Sequence, residues 1–355
     1  MATALRVLML GASYGSLLAS KLLLAGHAVR LVCLPAEAEL MNAEGFRVRF
    51  PLRGRDGLLD VDSRRLPGAL AAGGADGVDP AAFDLVGLAM QEPQYRSPGV
   101  RELLGAVARS RVPCMSIMNM PPLPYLRRLP GLDAAALAAC YTDASVWDGF
   151  DPAKMTLCSP DPQAFRPPGE KVNVLQVGLP TNFKAARFPS DADTAILRRL
   201  EADIDAARWR TRNGAVELPV KLRVHESVYV PLAKWCMLMT GNYRCILPDS
   251  IRPIRDTVHG DVEKSRSIYG WVGDLCTSLG AAPGDLVPFE KYAKAAQSLG
   301  KPSSVARAVE GGAMHVERVD RLVQQVAAQR GRRSEDVDAI VAIVDRRLDA
   351  NRASP

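Results

Sequence analysis

The sequence predicts a doubly wound α/β domain followed by an all-helical domain. Two observations carry this prediction. In roughly the first third of the chain, short apolar runs of strand length alternate with helical segments, a pattern typical of a parallel sheet. From about residue 223 onward, long amphipathic segments with helical periodicity dominate. We therefore expect domains at 1–222 and 223–355, with a cleft between them of the kind that ligands favour.

The N-terminus predicts a β-α-β unit. "ALRVLML" (4–10) is an apolar run of strand length, and "AVRLVCL" (28–34) is a second one. The segment "SLLASKLLLAGH" between them has helical character, and Gly26 fits a helix C-cap. A right-handed crossover is expected for such a unit.

The next elements follow the same alternation. We expect strands at 84–90 and 112–119, with the helix "GVRELLGAVARS" between them. The pieces "YTDASVWDGF", "KMTLCS" and "KVNVLQVG", between about residues 140 and 180, predict an antiparallel extension of the sheet. Residues 191–209 predict a helix with Asp191 or Asp193 as N-cap. The Ala/Gly-rich stretch 68–82 is expected to be a flexible surface loop.

The composition excludes several classes of protein. Of the 355 residues, 48% are apolar and 24% are charged, as is ordinary for a globular protein. The seven cysteines are scattered and form no C-x-x-C pair, which argues against a metal site and for a reducing, cytoplasmic compartment. The net charge of +6 is spread without a dense basic block, so we expect no nucleic-acid partner. No apolar run is long enough to predict a membrane span.

A glycine-containing turn, "GASYGS", lies between the first predicted strand and helix. Its residues are Gly11, Ala12, Ser13, Tyr14, Gly15 and Ser16. Such turns let backbone N–H groups and a helix N-terminus approach a pyrophosphate. The glycines stand four apart, whereas a dinucleotide fingerprint has the pattern G-x-G-x-x-G. We interpret the turn as a shortened phosphate loop that lacks the middle glycine, and Tyr14 as a residue that could cover the pyrophosphate site.

Five segments together carry a resemblance to a known family. They are the N-terminal β-α-β unit, "DLVGLAMQEPQ" (84–94), "SIMNMPP" (116–122), "YVPLAKWCMLMTGN" and "KPSSVARAVEGG". In this order the chain resembles the ketopantoate reductase family, within the dehydrogenases whose Rossmann domain precedes an all-helical, 6-phosphogluconate-dehydrogenase-like domain. The resemblance implies an oxidoreductase in which hydride from NADPH reduces a 2-keto acid.

The resemblance also implies roles for individual residues. Lys234 falls at the family's general acid, and Asn242 at an asparagine that orients the substrate. Asn119 matches an asparagine that touches cofactor and substrate. Leu238 and Gln91 depart from the family, which has an asparagine and a lysine at these positions.

The C-terminal segment leaves two alignments open. The family's serine, which binds the substrate carboxylate, falls on Ser303 or Ser304. Counted without gaps, the catalytic-site glutamate falls on His315, whereas a small gap places Glu317 there. Arg307 stands where the family has an aspartate, and an arginine can clamp a carboxylate.

The cofactor and substrate are less closely defined. The second strand ends with Leu34 where the family has an arginine, so neither the acidic residue typical of NAD sites nor the arginine typical of NADP sites is present. The resemblance favours NADP weakly. The departures at Gln91, Leu238, His315 and Arg307 lead us to expect a carboxylate-bearing substrate other than ketopantoate.

The sequence is compatible with a homodimer. It also allows two other functions. One is opine-type chemistry, the reductive condensation of an amino acid with a 2-keto acid, for which His315 or His225 would supply the catalytic histidine. The other is a non-catalytic binding protein that keeps the fold but has lost a competent phosphate loop.

Overall fold

The computed structural model describes residues 3–52, 54, 56–211 and 214–353. The chain forms two compact units. The first comprises Met1–Met90, Gln94–Met118 and Val146–Glu226, and the second comprises Gln91–Pro93, Asn119–Ser145 and Ser227–Pro355. The predicted fold class, a Rossmann-like sheet plus a helical C-terminal region, is confirmed. The domain boundary at 222/223 stays a prediction.

Fourteen strands are found among the described residues, all of them in the first unit. They are β1 (Arg6–Leu10), β2 (Ala28–Val32), β3 (Arg47–Pro51), β4 (Leu58–Asp62), β5 (Leu70–Gly73), β6 (Leu85–Leu88), β7 (Cys114–Ser116), β8 (Met155–Ser159), β9 (Gln163–Phe165), β10 (Val174–Leu179), β11 (Phe183–Ala186), β12 (Trp209–Thr211), β13 (Gly214–Val216) and β14 (Leu222–His225).

The described helices divide between the two units. The first unit contains α1 (Ser13–Leu24), α2 (Pro35–Glu44), α3 (Val100–Ser110) and α5 (Asp191–Ala206). The second contains α4 (Leu123–Leu126), α6 (Lys234–Met237), α7 (Ile254–His259), α8 (Val262–Leu279), α9 (Phe289–Ala296), α10 (Ser304–Glu310), α11 (Val319–Gln329) and α12 (Glu335–Ala353).

The main sheet has eight strands in the order β14-β11-β8-β7-β6-β1-β2-β5. β1 lies inside it and pairs in parallel with β2 and β6, so that Leu8 lies opposite Arg30 on one side and Val86 on the other. Because the neighbouring strands run in the same direction, their carboxyl ends meet at one edge of the sheet. This is the edge at which doubly wound folds bind ligands. The predicted β-α-β opening is therefore confirmed.

Two sequence-based predictions of strand positions are wrong. The Ala/Gly-rich stretch 68–82 is not only loop, because Leu70–Gly73 forms β5, an edge strand parallel to β2. "YTDASVWDGF" forms no strand; Ala144–Trp147 within it is a short 3₁₀ helix. "KMTLCS" and "KVNVLQVG" do form strands, β8 and β10.

Those two strands do not form one antiparallel extension of the sheet. β8 pairs in parallel with β7 and antiparallel with β11. β10 belongs to a separate four-stranded sheet, β4-β3-β10-β9. Strand partners depend on contacts far apart in the chain, which a local pattern does not reveal.

Helix termini follow the expected chemistry with one correction. Gly26 follows α1 with φ +87°, the left-handed conformation that a helix C-terminus favours, and its N–H donates to the carbonyl of Leu23. The N-cap of α5 is Ser190, whose hydroxyl accepts from the N–H of Asp193 at 3.3 Å, and not Asp191 or Asp193. The two aspartates lie instead in the first turn, where their charges complement the helix dipole.

The second unit is built from helices around one irregular segment. Directly after α6, residues Leu238–Asn242 form a π-helical turn, and the N–H of Tyr243 donates to the carbonyl of Leu238 in an i→i+5 bond. Such single-turn widenings occur frequently at functional sites.

Candidate functional site

The turn after β1 requires a glycine at its first position. Gly11 has φ +105°, and a Cβ atom there would lie 2.7 Å from the carbonyl oxygen of Ala89. The Gly11 N–H donates to the carbonyl of Val32 at 2.9 Å. The close approach of the β1 and β6 ends therefore forces a glycine at the edge where the phosphate loop is predicted.

Gly15 lies where α1 packs against the sheet. A Cβ atom at Gly15 would lie 2.6 Å from Cγ of Met9 on β1. The residue lets α1 pack closely on the sheet, which is the role of the third glycine in a dinucleotide fingerprint. The shortened turn thus keeps the first and third glycine roles and lacks the second.

The N-terminus of α1 carries no compensating negative charge. Its first turn contains no acidic residue, and Ala12 at the N-cap has no side chain that could accept from the backbone. Ser16 directs its hydroxyl to the carbonyl of Ser13 at 2.8 Å. A helix end of this kind is suited to an anion such as a phosphate.

Tyr14 makes its contacts inside the first unit. Its ring packs edge-on against Phe183, with 6.0 Å between ring centroids, and its hydroxyl donates to the carbonyl of Pro160 at 3.2 Å. Burial raises the pKa of Tyr14 well above its ordinary value. Tyr14 is thus held by Phe183 of β11 and by Pro160, which follows β8, so the structure gives no support to the idea that Tyr14 covers a pyrophosphate.

A charged pair lies just beyond the carboxyl end of β2. Glu37 of α2 is ion-paired with Arg166, which follows β9. Burial raises the pKa of the nearby Cys33 thiol to about 11; the Glu37 charge raises it too, and Arg166 opposes this. Leu34, where the family has an arginine, is 74% exposed. An arginine is therefore present at this strand end, but it comes from another part of the chain.

Lys234 and Asn242 lie on the irregular helix of the second unit. Lys234 begins α6 and is only 8% exposed. Asn242 ends the π-helical turn and is half-buried. Eight residues exceed two turns of an α-helix, which has about 3.6 residues per turn. Because a π turn rotates less per residue, it brings Asn242 closer to the face that carries Lys234.

Of the predicted substrate-binding residues on α10, Ser303 contacts Asn242. Its hydroxyl donates to the Asn242 carbonyl at 2.7 Å and accepts from the N–H of Ala306 at 3.1 Å as the N-cap of the helix. Ser303 thus fixes the end of the π turn against α10. Ser304 and Arg307 are exposed, and the Arg307 guanidinium donates to the carbonyl of Pro302.

Glu317 is a deeply buried carboxyl in the second unit. The N–H of Glu92 donates to its Oε1 at 3.3 Å, and the Asn119 side chain and the Met120 N–H are further donors. Tyr243, the neighbour of Asn242, donates its hydroxyl to the Glu317 backbone carbonyl. Burial raises the pKa of the Glu317 carboxyl to about 7, although these donors oppose the shift.

The structure thus brings together part of the predicted substrate site. Four of the predicted residues are connected by hydrogen bonds around the end of the π turn. Ser303 bonds the Asn242 backbone, Tyr243 links the turn to Glu317, and Asn119 bonds the Glu317 carboxyl. His315 is half-buried on the segment before Glu317, and His225 is half-buried on β14 of the first unit. Gln91 is exposed, and Leu238 is buried.

Sequence reasoning missed two candidate residues, Glu92 and Arg166. Glu92 lies inside the quoted segment "LAMQEPQ", but only its burial reveals it. Arg166 reaches Glu37 across 129 positions of sequence. Within the described ranges, no group of three or more His, Cys, Asp or Glu is arranged to hold a metal ion. In the same part of the chain, no helix is long and apolar enough to cross a membrane.

The fold defines a class of protein: an α/β unit of the dinucleotide-binding type together with an all-helical unit. The sequence matches no protein-family model and no curated protein. Solved structures, in contrast, match over nearly the whole chain.

Three of these solved structures identify the fold of this chain. The 2-dehydropantoate 2-reductase of Methylococcus capsulatus has a TM-score of 0.64 and 15% identity, covering 99% of this chain and 98% of its own. A dimeric ketopantoate reductase of Staphylococcus aureus has a TM-score of 0.60 and 9% identity, and the match covers 98% of this chain and 100% of that reductase. D-mandelate dehydrogenase, in a structure with NADH and anilino(oxo)acetate, has a TM-score of 0.63 and 12% identity, and the match covers 98% of this chain and 99% of the dehydrogenase.

The chain therefore has the fold of the ketopantoate reductases, shared with D-mandelate dehydrogenase. The resemblance predicted from the sequence segments is confirmed at the level of the fold.

Proposed function

We propose that this protein is a NAD(P)H-dependent oxidoreductase that reduces a C=O or C=N group of a 2-keto-acid-like substrate. One observation carries the proposal: a chain with the fold of two kinds of keto-acid reductase buries a lysine at the start of a helix whose π turn ends in Asn242. The substrate we expect differs from ketopantoate, because Gln91 and Leu238 replace polar or charged family residues.

The first unit fits a dinucleotide. The glycine turn at Gly11, which lies at the carboxyl edge of the sheet, and the uncompensated N-terminus of α1 suit a pyrophosphate. Ala12, Ser13 and Gly15 would hold it through their backbone N–H groups, whereas the N–H groups of Gly11 and Ser16 already donate to the carbonyls of Val32 and Ala12. When bound, the reduced nicotinamide supplies a hydride to the substrate.

Residues of the second unit would handle the substrate and the proton. Lys234 acts as general acid, giving its proton to the substrate oxygen that becomes a hydroxyl. Asn242 and Asn119 orient the substrate by hydrogen bonds, and Glu317 binds it through its carboxyl. Burial of Lys234 excludes water from the proton that is transferred, and a buried ammonium needs compensating partners.

NADP is the cofactor we propose. Leu34 does not supply the cation that an adenosine 2′-phosphate needs, but Arg166 lies at the same strand end, paired with Glu37. An arginine at this place is how NADP sites accommodate the extra phosphate. We also propose a homodimer, because the ketopantoate reductase of Staphylococcus aureus, which has the same fold, is dimeric. The seven cysteines are free thiols, in keeping with a cytoplasmic location.

Cofactor binding is the first test. Titration of the purified protein with NADPH and with NADH, followed by nicotinamide fluorescence, should show saturable binding. No affinity for either nucleotide would reject the enzyme and leave the non-catalytic binding protein as the better hypothesis.

The second test distinguishes the reactions. Oxidation of NAD(P)H is followed with a panel of 2-keto acids, each with and without amino acids. Simple reduction predicts oxidation that needs no amine, whereas a strict requirement for an amine would favour the opine-type reaction.

A further inference from the structure

Tyr14 lies in the shortened glycine turn, at the second position of α1. The helix begins at Ser13, so that Ser13, Tyr14 and Gly15 form its first turn. The first hydrogen bond within the helix runs from the Ser16 N–H to the Ala12 carbonyl at 3.2 Å. The N–H groups that precede Ser16 are therefore the donors that a helix N-terminus offers to an anion.

The first turn of α1 lacks the usual means of holding a helix N-terminus in place. Ala12 at the N-cap has no side chain that could accept from the backbone. A serine or an aspartate at the N-cap would fix the turn, but its side chain would accept from the second or third N–H of the helix. Such a cap would occupy the donors that a phosphate needs. A turn that keeps its shape and leaves these N–H groups open has to be held by side chains that point elsewhere.

The side chain of Tyr14 supplies such a contact. Its hydroxyl donates to the carbonyl of Pro160 at 3.2 Å, and its ring packs edge-on against Phe183, with 6.0 Å between the ring centroids. Burial raises the pKa of Tyr14 well above its ordinary value, so the phenol keeps its proton and can donate near pH 7. Pro160 follows β8 and Phe183 begins β11, the third and fourth strands from β1 on that side of the sheet. Tyr14 therefore ties the start of α1 to strands that are not neighbours of β1.

The residue that accepts the Tyr14 hydrogen bond is itself fixed at the carboxyl edge of the sheet. β8 runs in the same direction as β1, so the residues after β8 lie at the same edge as the glycine turn. Directly after Pro160, Asp161 is ion-paired with Lys184 of β11 at 2.9 Å. Directly before it, Ser159 pairs with Lys184 in the sheet. The Pro160 carbonyl is thus held by the neighbours on both sides of it in the chain.

A second contact holds the same turn against β1. A Cβ atom at Gly15 would lie 2.6 Å from Cγ of Met9, so the helix lies directly on β1 at this residue. Tyr14 and Gly15 are neighbours in the chain. Together they fix the turn from two directions, Gly15 against β1 and Tyr14 against β11 and the residue after β8.

We propose that Tyr14 is a positioning residue of the cofactor site: its side chain holds the first turn of α1 so that the N–H groups of Ser13 and Gly15 stay in position to bind a pyrophosphate. That the pyrophosphate belongs to a dinucleotide rests on the proposed function. Donors that are fixed before binding lose less conformational freedom when the anion arrives. The shortened turn thus compensates for the missing middle glycine by an anchor that leaves its backbone donors open.

Two variants and a matched control test the anchor. Tyr14→Phe removes the hydrogen bond to Pro160 and keeps the ring, and Tyr14→Leu removes the ring contact as well. The control is Tyr269→Phe on α8. The Tyr269 hydroxyl donates to the Val287 carbonyl at 2.8 Å, and its ring lies edge-on to Phe289, with 5.5 Å between the centroids. The control therefore loses the same kind of hydrogen bond in the second unit.

The first measurement needs neither cofactor nor activity. Hydrogen exchange of the full-length, cofactor-free protein, followed by NMR, reports the opening of the first turn through the Ser16 N–H. We expect exchange to be about fivefold faster in Tyr14→Phe, the effect of losing one hydrogen bond, and faster still in Tyr14→Leu. Tyr269→Phe should leave the Ser16 rate unchanged. If Tyr14→Leu does not fold, Tyr14→Phe alone decides. An unchanged rate in Tyr14→Phe, or an equal increase in the control, would overturn the inference.

The second measurement is binding. Calorimetric titrations compare inorganic pyrophosphate with NADPH or NADH, whichever binds the wild type more tightly. Both ligands present a pyrophosphate to the same N–H groups, so Tyr14→Phe should weaken both by a similar factor of about five, whereas Tyr269→Phe should change neither. A tyrosine that served only stability would lower the urea midpoint of Tyr14→Phe and leave both affinities unchanged. That result would refute the positioning role.

The outcomes separate this inference from the proposed function. A wild type that binds inorganic pyrophosphate but neither dinucleotide would refute the proposed oxidoreductase and keep the anion site that Tyr14 positions. A wild type that binds none of the three ligands would refute both. If the dinucleotide affinity falls in Tyr14→Phe while the pyrophosphate affinity does not, Tyr14 acts on another part of the dinucleotide and the inference is wrong.

Discussion

Two buried lysines, one in each unit, lie in similar apolar sequence segments but have different structural surroundings. Lys21 lies in "LLASKLLL" on α1 and is 1% exposed; its Nζ donates to the carbonyl of Leu218 at 3.0 Å. Lys234 lies in "LAKWCM" at the start of α6, two turns before Asn242. Lys21 is thus engaged within the core of the first unit, whereas Lys234 shares its helix with a residue of the candidate site. Burial of a lysine is therefore no evidence of catalysis until its neighbours are known.

The largest expected effect is a difference in kcat between variants of the two lysines. Lys234→Ala should lower kcat by about two or more decades if Lys234 is the general acid. Lys21→Met, a matched removal of a buried ammonium, should leave kcat within about twofold, because Lys21 lies outside the proposed site. Steady-state kinetics with the best 2-keto acid measures both. Wild-type turnover in Lys234→Ala would refute the assignment.

The second prediction concerns stability against pH. Burial, followed by the charge of Lys221, lowers the pKa of Lys21 to about 8, below its ordinary value of 10.5. Between these values the unfolded chain binds a proton that the folded protein does not, so the contribution of Lys21 to stability should rise with pH. Buried thiols with a raised pKa, such as Cys33, act in the opposite direction. From pH 7 to pH 10 the contribution of Lys21 should grow by about 2 to 3 kcal/mol.

Urea unfolding at pH 7, 8.5 and 10 measures this gain. The stability of the wild type relative to Lys21→Met should rise across this range, whereas its stability relative to Lys234→Met should change little with pH. A constant difference between the wild type and Lys21→Met would show that Lys21 does not cause the effect.

The third prediction compares a helical glycine from each unit. Gly15→Ala on α1 places a Cβ atom 2.6 Å from Cγ of Met9, so we expect it to destabilise by about 1 to 2 kcal/mol. Gly270→Ala on α8 meets nothing within 4 Å and should stabilise by up to about 1 kcal/mol through helix propensity. The denaturant midpoints of the two variants, compared with that of the wild type, measure both changes in stability. The same sign for both variants would contradict the packing role of Gly15.

The smallest expected effect is on cofactor choice. Arg166→Ala should weaken NADPH binding about fivefold and NADH binding by much less, because only NADPH carries the 2′-phosphate. Arg49→Ala removes another ion-paired arginine of the first unit, one bound to Glu170, and should change neither affinity. Fluorescence titrations compare the four constants. Equal losses for the two nucleotides in Arg166→Ala would remove Arg166 from the 2′-phosphate site.

Local patterns predicted the first β-α-β unit correctly, for a physical reason. Apolar runs of strand length flank a helical segment that ends at Gly26, and each of these features acts over a few residues. The stretch that contains β5 was predicted as loop because Ala and Gly have low strand propensity. Pairing with β2 overrides that preference, and no short window of sequence contains this information.

The candidate site divides in the same way. The spacing of Lys234 and Asn242 could be predicted, because both lie on one helix. The choice between His315 and Glu317 could not be made from the sequence and stays a prediction; the structure adds that the Glu317 carboxyl is buried and accepts a hydrogen bond from the Asn119 side chain. Glu92 and Glu317 are 225 positions apart, and their contact arises only when the second unit folds.

The sequence by itself determined the first β-α-β unit, the glycine turn after β1 and the lysine and asparagine on the helix at residue 234. These depend on periodicity and on backbone conformations that act locally. Only the tertiary structure decided that Gly15 serves packing, that Arg166 stands at the end of β2, and that Glu317 is buried against Glu92. Burial and charge pairing depend on residues brought together from distant parts of the chain, and folding alone brings them together.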